Sequence, residues 1–354
     1  CYLTCSVFGQ KMTQYFHLES RPHFDSYEET VEKTSFLIQD AIKRQMVSDV
    51  PICTFLSGGV DSSVVSAVCA AELKKQGKKL TTFSFDFIDN DKYFKANSFQ
   101  PSQDRPYVDK MVSFLDSDHH YLECDNKMQA DLLYRSVDAH DLPCMADIDS
   151  SLQYFCEEVS HSHKVVLTGE CADEVFGGYP WFHREEMLNS GTFPWTPSLT
   201  PRKVLLKDDL VKSLHMDEYV KKIYDRSVSE INVLPSENEI ETNRRRIGYL
   251  NIRFFMQTLL NRMDRTSMFS GLEARVPFAD RKLVDYVFNI PWEMKAKDGL
   301  VKNILRQASK GLLPDEILFR RKSPYPKTYN PYYENLLAKR LKEVLADSAS
   351  PLHS

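Results

Sequence analysis

The sequence has no uninterrupted apolar run near the roughly 18 residues that cross a bilayer; the longest lies around Val64 to Ala71. Its start carries no charged segment followed by an apolar one, so neither a membrane span nor a leader is expected. The eight cysteines, at 1, 5, 53, 69, 124, 144, 156 and 171, form no C-x-x-C pair and have no histidine at finger spacing, which argues against zinc. Scattered and mostly flanked by apolar residues, they predict reduced core thiols of a cytosolic protein. Cys1 lacks glycine-rich surroundings or a visible partner, so amino-terminal thiol catalysis is not expected. Positive charge is not in excess: 45 Lys and Arg face 50 Asp and Glu, a net charge of −5 that disfavours a broad grip on nucleic acid. Repeats and biased tracts are absent. So are a Walker G-x-x-x-x-G-K-[ST] and a G-x-G-x-x-G, which removes the ordinary nucleotide-loop readings. What is present is ordinary for a folded protein: 354 residues, enough for about two domains, 42% hydrophobic and 27% charged.

Ser26 followed by Glu29 and then Val31, Ile38, Ala41, Ile42 and Met46 predicts a capped amphipathic helix over 26–47. The run Ile52–Leu56, the loop 57–63 and the helical period from Val64 to Ala71 read as strand, tight loop, helix. Strands are expected again at Leu80–Phe87, His120–Cys124 and Lys164–Leu167, with helices at Tyr107–Leu115 and Met128–Val137. Such alternation predicts an α/β fold, a parallel twisted sheet with helices on both faces, whose ligands lie beyond the carboxyl ends of the strands. After about residue 185 strand signals fade. Helical patterns at Asn238–Met263, Asp280–Phe288, Lys302–Lys310 and Pro331–Leu345 predict a mainly helical carboxyl-terminal layer. The proline-rich stretch 191–201 serves as the boundary, giving an α/β core over 26–190 and a helical part over 191–354.

The loop Ser57-Gly58-Gly59-Val60-Asp61-Ser62-Ser63 has the chemistry of a phosphate cradle, because two glycines let the backbone wrap an anion and the following helix points unpaired N–H groups at it. Asp61 would repel phosphate alone, which makes sense if it reaches a Mg²⁺ bridging the phosphate oxygens. A plain Ser/Gly turn capping a helix is the alternative. A second motif, Thr168 to Tyr179, follows the strand at 164–167 and holds Glu170, Asp173 and Glu174, carboxylates that would repel one another unless a metal or a proton is shared. A solvated acidic turn ahead of a helix is the competing interpretation.

S-G-G-V-D-S-S at 57–63 resembles the pyrophosphate loop of the ATP pyrophosphatases, which cleave ATP between the α and β phosphates. Residues 168–179 are similar to S-G-E-G-S-D-E-V-F-G-G-Y of the asparagine synthetases, with Thr168, Cys171 and Ala172 as departures that remove no carboxylate. The stretches 261–268 and 271–280 resemble that family's R-M-D-x-x-S-M and E-A-R-V-P-F-x-D region, within which Asp264 with Arg265 and Glu273 with Arg275 are expected as bracing ion pairs. Arg320-Arg321-Lys322 reads as a solvated basic run, although Lys322 matches a family lysine that reaches the α-phosphate.

The resemblance, over roughly 15–340, implies an adenine nucleotide α-hydrolase-like core that uses ATP and Mg²⁺. It implies amidation of L-aspartate to L-asparagine by ammonia through β-aspartyl-AMP. Carried over by position, Leu56 and Phe85 bracket adenine, Ser57, Gly58, Gly59, Asp61, Ser62, Ser63, Thr168 and Gly169 contact ATP, and Asp61 and Asp173 hold Mg²⁺. Glu170 handles protons, Lys322 counters phosphoryl charge, and Tyr179 has a less defined catalytic part. Residues 1–25 are then a linker from a glutaminase domain missing from this chain, with a homodimer left open. The stretch 142–152 contains no arginine, so Asp147, Asp149 and Ser150 are candidates for the substrate's α-amino group, and another carboxylate substrate stays open. A homologue kept as a binding module and a tRNA-modifying ligase are the rival classes; the acidic net charge speaks against the second.

Overall fold

The computed structural model describes residues 1–97, 100–145, 148–204 and 206–350. The chain forms two compact units, each assembled from three stretches: 1–30, 173–256 and 281–304 in one, and 31–172, 257–280 and 305–354 in the other. Neither follows a single cut at residue 190. Contacts between segments remote in sequence decide such units, and composition along the chain does not record them.

The larger unit is built on a five-stranded parallel sheet. With the hairpin strands of the other unit counted as β1 (Tyr2–Ser6) and β2 (Gly9–Thr13), its strands are β3 (Ile52–Phe55), β4 (Thr81–Phe87), β5 (Asp118–Cys124), β6 (Val165–Leu167) and β7 (Glu273–Arg275), in the order β5-β4-β3-β6-β7. β7 was not expected from the sequence, being three residues with charged ends and too short for a period. Its register on β6, Val165 opposite Glu273, is fixed only by tertiary pairing.

Alternation along β3 shows how both sheet faces are covered. Thr54 points to the helix Val60–Lys75, where its hydroxyl meets Ser66 Oγ at 2.7 Å, whereas Phe55 stacks at 4.6 Å on Phe155 of the helix Asp149–Ser160. Phe83, Phe85 and Phe87 of β4 line the second face with Phe155, Leu152 and Val166. Thr82 and Ser84 face the other way and hold His119 by both ring nitrogens, at 2.7 and 2.9 Å. Burial lowers the pKa of that imidazole to about 4.

The chain runs from β3 outward through β4 to β5, then returns to the opposite side of β3 as β6. The strand order therefore reverses between β3 and β6, and the loops leaving their carboxyl ends open a crevice where α/β proteins bind ligands.

In the smaller unit, Ser26 and Glu29 reciprocally cap the first turn of a helix, Tyr27–Gln45, Glu29 N donating to Ser26 Oγ at 3.3 Å and Ser26 N to the Glu29 carboxylate at 2.8 Å. Trp181, Phe182, Leu188 and Ile247 form its core with Phe255 and Trp292 around them. Residues 2–13, placed by sequence in a linker, form an exposed hairpin. Cys1 and Cys5 are consequently exposed, unlike the buried Cys53, Cys69, Cys124, Cys156 and Cys171. No helix among the described residues is long and apolar enough to cross a membrane.

Candidate active site

The first loop owes its shape to glycine and serine. Gly58 takes φ +68°, and a Cβ there would lie 2.6 Å from Tyr107 Cβ, so both backbone sign and space demand glycine. Ser62 Oγ accepts from Ser57 N at 3.1 Å, meets Ser57 Oγ at 3.0 Å and donates to Gly59 O at 3.3 Å, tying the loop across itself. Ser62 and Ser63 are buried, and Ser62 Oγ is spent on these loop contacts. The helix Val60–Lys75 starts at Gly59 with no side-chain cap, and an uncapped helix amino terminus is suited to an anion. Above Gly59 the space is open, the nearest atom to a Cβ being Ser57 Oγ at 3.5 Å. Asp61 lies in this same first turn.

The second loop is packed onto the first. A Cβ on Gly169 would lie 2.5 Å from Ser62 N, so the glycine is what lets the two backbones touch. Thr168 N donates to Arg275 O at 2.9 Å, and Thr168 Oγ1 accepts from Glu170 N at 3.2 Å, which turns Glu170 out of the strand line. Its carboxylate meets Arg262 Nη2 at 2.8 Å with both side chains largely buried, while Glu170 Oε2 is buried with no hydrogen-bond partner among the described residues. Burial works against the Arg262 charge, but Glu170, by charge and hydrogen bond, holds the guanidinium pKa above its usual value. Tyr325 lies near this pair and beside Phe85, centroids 6.2 Å apart, and burial pushes its hydroxyl pKa up. Phe85 and Leu56, the expected adenine neighbours, have buried side chains; Leu56 N is spent on Phe83 O at 2.8 Å.

A third segment reaches the first loop. Arg320, only 6% exposed, donates to Ser57 O at 3.1 Å and to Asp104 Oδ1 at 2.5 Å, and its guanidinium lies 3.9 Å over the Tyr107 ring. Burial raises the Asp104 pKa in spite of the arginine. The basic run is therefore not uniformly solvated: its first member is a clamp, and Lys322, half-buried, follows two residues later.

The expected pairing around Arg265 also changes. Arg265 bonds His140 O and Asp141 Oδ2, each at 3.1 Å, whereas Arg275 does pair with Glu273 at 2.7 Å. Asp149 and Ser150 are buried in the first turn of the helix Asp149–Ser160, and Asp149 Oδ2 accepts from Met145 N at 2.6 Å. Asp147 lies outside the described residues.

In the smaller unit, Asp173 pairs with the buried Lys302 at 2.6 Å, against Gly178. Tyr179 donates its hydroxyl to the Glu174 carboxylate and stacks on Trp181 at 4.3 Å. Burial, then the neighbouring Asp173 charge, raises the Glu174 pKa to about 7. The same unit encloses a cavity of about 390 Å³ beside Trp292 and the Arg245–Glu237 pair, where burial lowers the Lys295 pKa to about 7.

Sequence reasoning named Glu170 and the two loops but missed Arg262, Asp104, Tyr107 and Lys302 as their supports. Arg262 stood inside a recognised motif, yet nothing in its spacing tells that it pairs with Glu170, 92 positions away.

Fold and loops together define an α/β protein with a crevice at its topological switch point, lined by two glycine-bearing loops. The asparagine synthase family model matches residues 34–354. The chain is 48% identical over 353 residues to asparagine synthetase [glutamine-hydrolyzing] 3 of Bacillus subtilis, covering 99% of this chain and 57% of that protein. It is 27% identical to asparagine synthetase [glutamine-hydrolyzing] 1 of the same organism (94% of this chain, 55% of that protein) and 27% identical to the amidase chyE of Penicillium rubens (85% and 52%). The chain thus spans a little over half the length of these relatives, and it belongs to the asparagine synthase family.

Proposed function

We propose that the chain catalyses ATP-dependent amidation of L-aspartate to L-asparagine, forming β-aspartyl-AMP and pyrophosphate and then releasing AMP as ammonia attacks. The observation that carries this reading is the contact of the Gly169 backbone with Ser62 N, which joins an anion loop to a loop bearing a buried acid. Family membership supports the reaction class.

In the first step the aspartate β-carboxylate attacks the α-phosphorus of ATP, and pyrophosphate leaves toward the amino-terminal turn of the Val60–Lys75 helix, where the backbone meets negative charge without reorganising. Mg²⁺, when bound, neutralises the phosphate oxygens, and the hard carboxylate of Asp61 beside an open anion loop fits that ion. Asp173 is the second ligand expected from the family resemblance, and its present partner is Lys302. In the second step ammonia adds to the acyl carbon and AMP departs. Glu170 Oε2, buried and with no donor among the described residues, accepts the proton that ammonia sheds, while Arg262 holds the other oxygen in place. Lys322, carried in the segment that Arg320 clamps to Ser57, counters charge on the α-phosphate.

The test supplies ATP, Mg²⁺, ammonium and L-aspartate to the purified chain and follows AMP, pyrophosphate and asparagine. Aspartate should stimulate pyrophosphate release, and Asp61→Asn should abolish it. A second reading, amidation of a different carboxylate, is favoured by the absence of arginine from 142–152. Pyrophosphate release stimulated by another carboxylic acid and not by aspartate would overturn the aspartate assignment in its favour.

A further inference from the structure

Outside the anion loops, one ring nitrogen of His140, Sγ of Cys144 and one carboxylate oxygen of Asp149 lie within 4.8 Å of one another. The helix Asn126–His140 ends at the first of these residues, and the helix Asp149–Ser160 begins at the last. The surroundings fix how each ligand atom is presented. His140 Nδ1 lies 2.7 Å from Ser136 O, and because a carbonyl can only accept, Nδ1 carries the proton and Nε2 keeps its lone pair. His140 Nε2 is buried, and no described residue donates to it. Asp149 is only 3% exposed; its Oδ2 is spent on Met145 N, and its Oδ1 is buried with no hydrogen-bond partner among the described residues. Cys144 Sγ lies 3.4 Å from Ser136 Oγ.

Two buried acceptors with no donor among the described residues other than the weak Cys144 thiol, which faces Asp149, make an arrangement that is costly as it stands and complete once a cation enters. We propose that His140, Cys144 and Asp149 bind a divalent transition metal of the zinc type, with a water in the fourth position. One nitrogen, one sulfur and one oxygen form a borderline-soft set, which suits Zn²⁺ or Co²⁺ and disfavours Mg²⁺ or Ca²⁺. Ligand atoms about 2.0–2.3 Å from a tetrahedral zinc lie roughly 3.3–3.8 Å apart, so the site closes by about 1 Å as it loads. Ser136 serves as the outer support, its carbonyl orienting His140 and its hydroxyl facing Cys144. In the empty site Cys144 is an ordinary thiol, set against Ser136 Oγ and the Asp149 carboxylate. Binding therefore forms a metal–thiolate bond and releases one proton to solvent. Two cations weaken the site without filling it: Arg265, bonded to His140 O and Asp141, and Arg262, which feels the Asp149 charge. Finger spacing misses this set because His140 and Cys144 are four apart and Asp149 lies five further on. The metal would tie two helices together, and the second of them carries Phe155 against Phe85.

The full chain, freed of metal and kept without nucleotide, is titrated with Co²⁺. A thiolate-to-cobalt charge-transfer band should saturate at one equivalent, with one proton released per ion, and added Zn²⁺ should erase the band. Cys144→Ser should abolish it, His140→Gln should weaken binding at least tenfold, and a Cys1→Ser, Cys5→Ser chain should keep it, since those exposed thiols lie elsewhere. Unchanged circular dichroism and melting temperature in the metal-free variants separate ligand loss from misfolding. No band at millimolar Co²⁺, or a band that survives Cys144→Ser, overturns the proposal. As no ATP or aspartate is present, the outcome is independent of the amidation reading.

Discussion

Glu170 and Glu174 stand four residues apart in one motif and meet opposite electrostatics. Glu170 lies against an arginine at 2.8 Å, so its charge has a counter-ion. Glu174, only 2% exposed, has a tyrosine hydroxyl as its direct partner and a second carboxylate nearby, and its pKa rises to about 7. Residue type alone assigns both to the same chemistry. The surrounding elements give one carboxylate a guanidinium partner and leave the other a group that exchanges a proton near neutrality.

The comparison can be broken at four points, from the largest effect to the smallest. Glu170→Gln keeps the shape but not the basicity, and should lower aspartate-dependent pyrophosphate and asparagine formation by between about 100- and 10,000-fold, read by coupled pyrophosphate assay. Arg262→Leu leaves Glu170 buried and unpaired and should cost about 3–5 kcal/mol in urea unfolding. Combining it with Glu170→Gln should recover much of that loss, and additive losses would show that the pair is not what joins them.

Glu174 sets a pH window. Its unfolded-state pKa is near 4.5 and its folded-state pKa about 7, so between these values the folded chain holds a proton the unfolded chain has released. Its contribution to stability is therefore fully present below pH 4.5 and lost as pH rises to 7, by about 3 kcal/mol. Glu174→Gln should flatten that part of the stability curve; an unchanged slope would place the titration elsewhere. Gly169→Ala, which forces a methyl onto Ser62 N, should cost about 1–3 kcal/mol and weaken nucleotide binding measured by calorimetry. Wild-type binding by that variant would mean the two loops need not touch.

Much of the fold was legible because its signals are local. The helix over 26–47 declares itself by Ser26 and Glu29, and β3 and β4 by short apolar runs ending at turn residues. β7 was not legible, since Glu273-Ala274-Arg275 has no strand pattern and becomes a strand only by pairing with β6. The same holds at the site. Gly58 and Gly59 advertise an anion loop, but Arg320 looked like part of a solvated run until its contacts to Ser57 O and Asp104 were seen. Lys302 carried no signal at all, being a lone lysine ahead of a helix that folding brings to Asp173.

By itself the sequence determined the α/β alternation, the two glycine-bearing loops and the family, because periodicity, turn chemistry and motif order are properties of neighbouring residues. Only the tertiary structure decided which cation faces which carboxylate, which serines are spent inside the loop, and that a histidine and an aspartate from two helix ends converge with a cysteine that lies between them in sequence. Those outcomes depend on how loops and side chains are placed in space, between near as well as distant residues, and on the dielectric around them, and neither quantity is written along the chain.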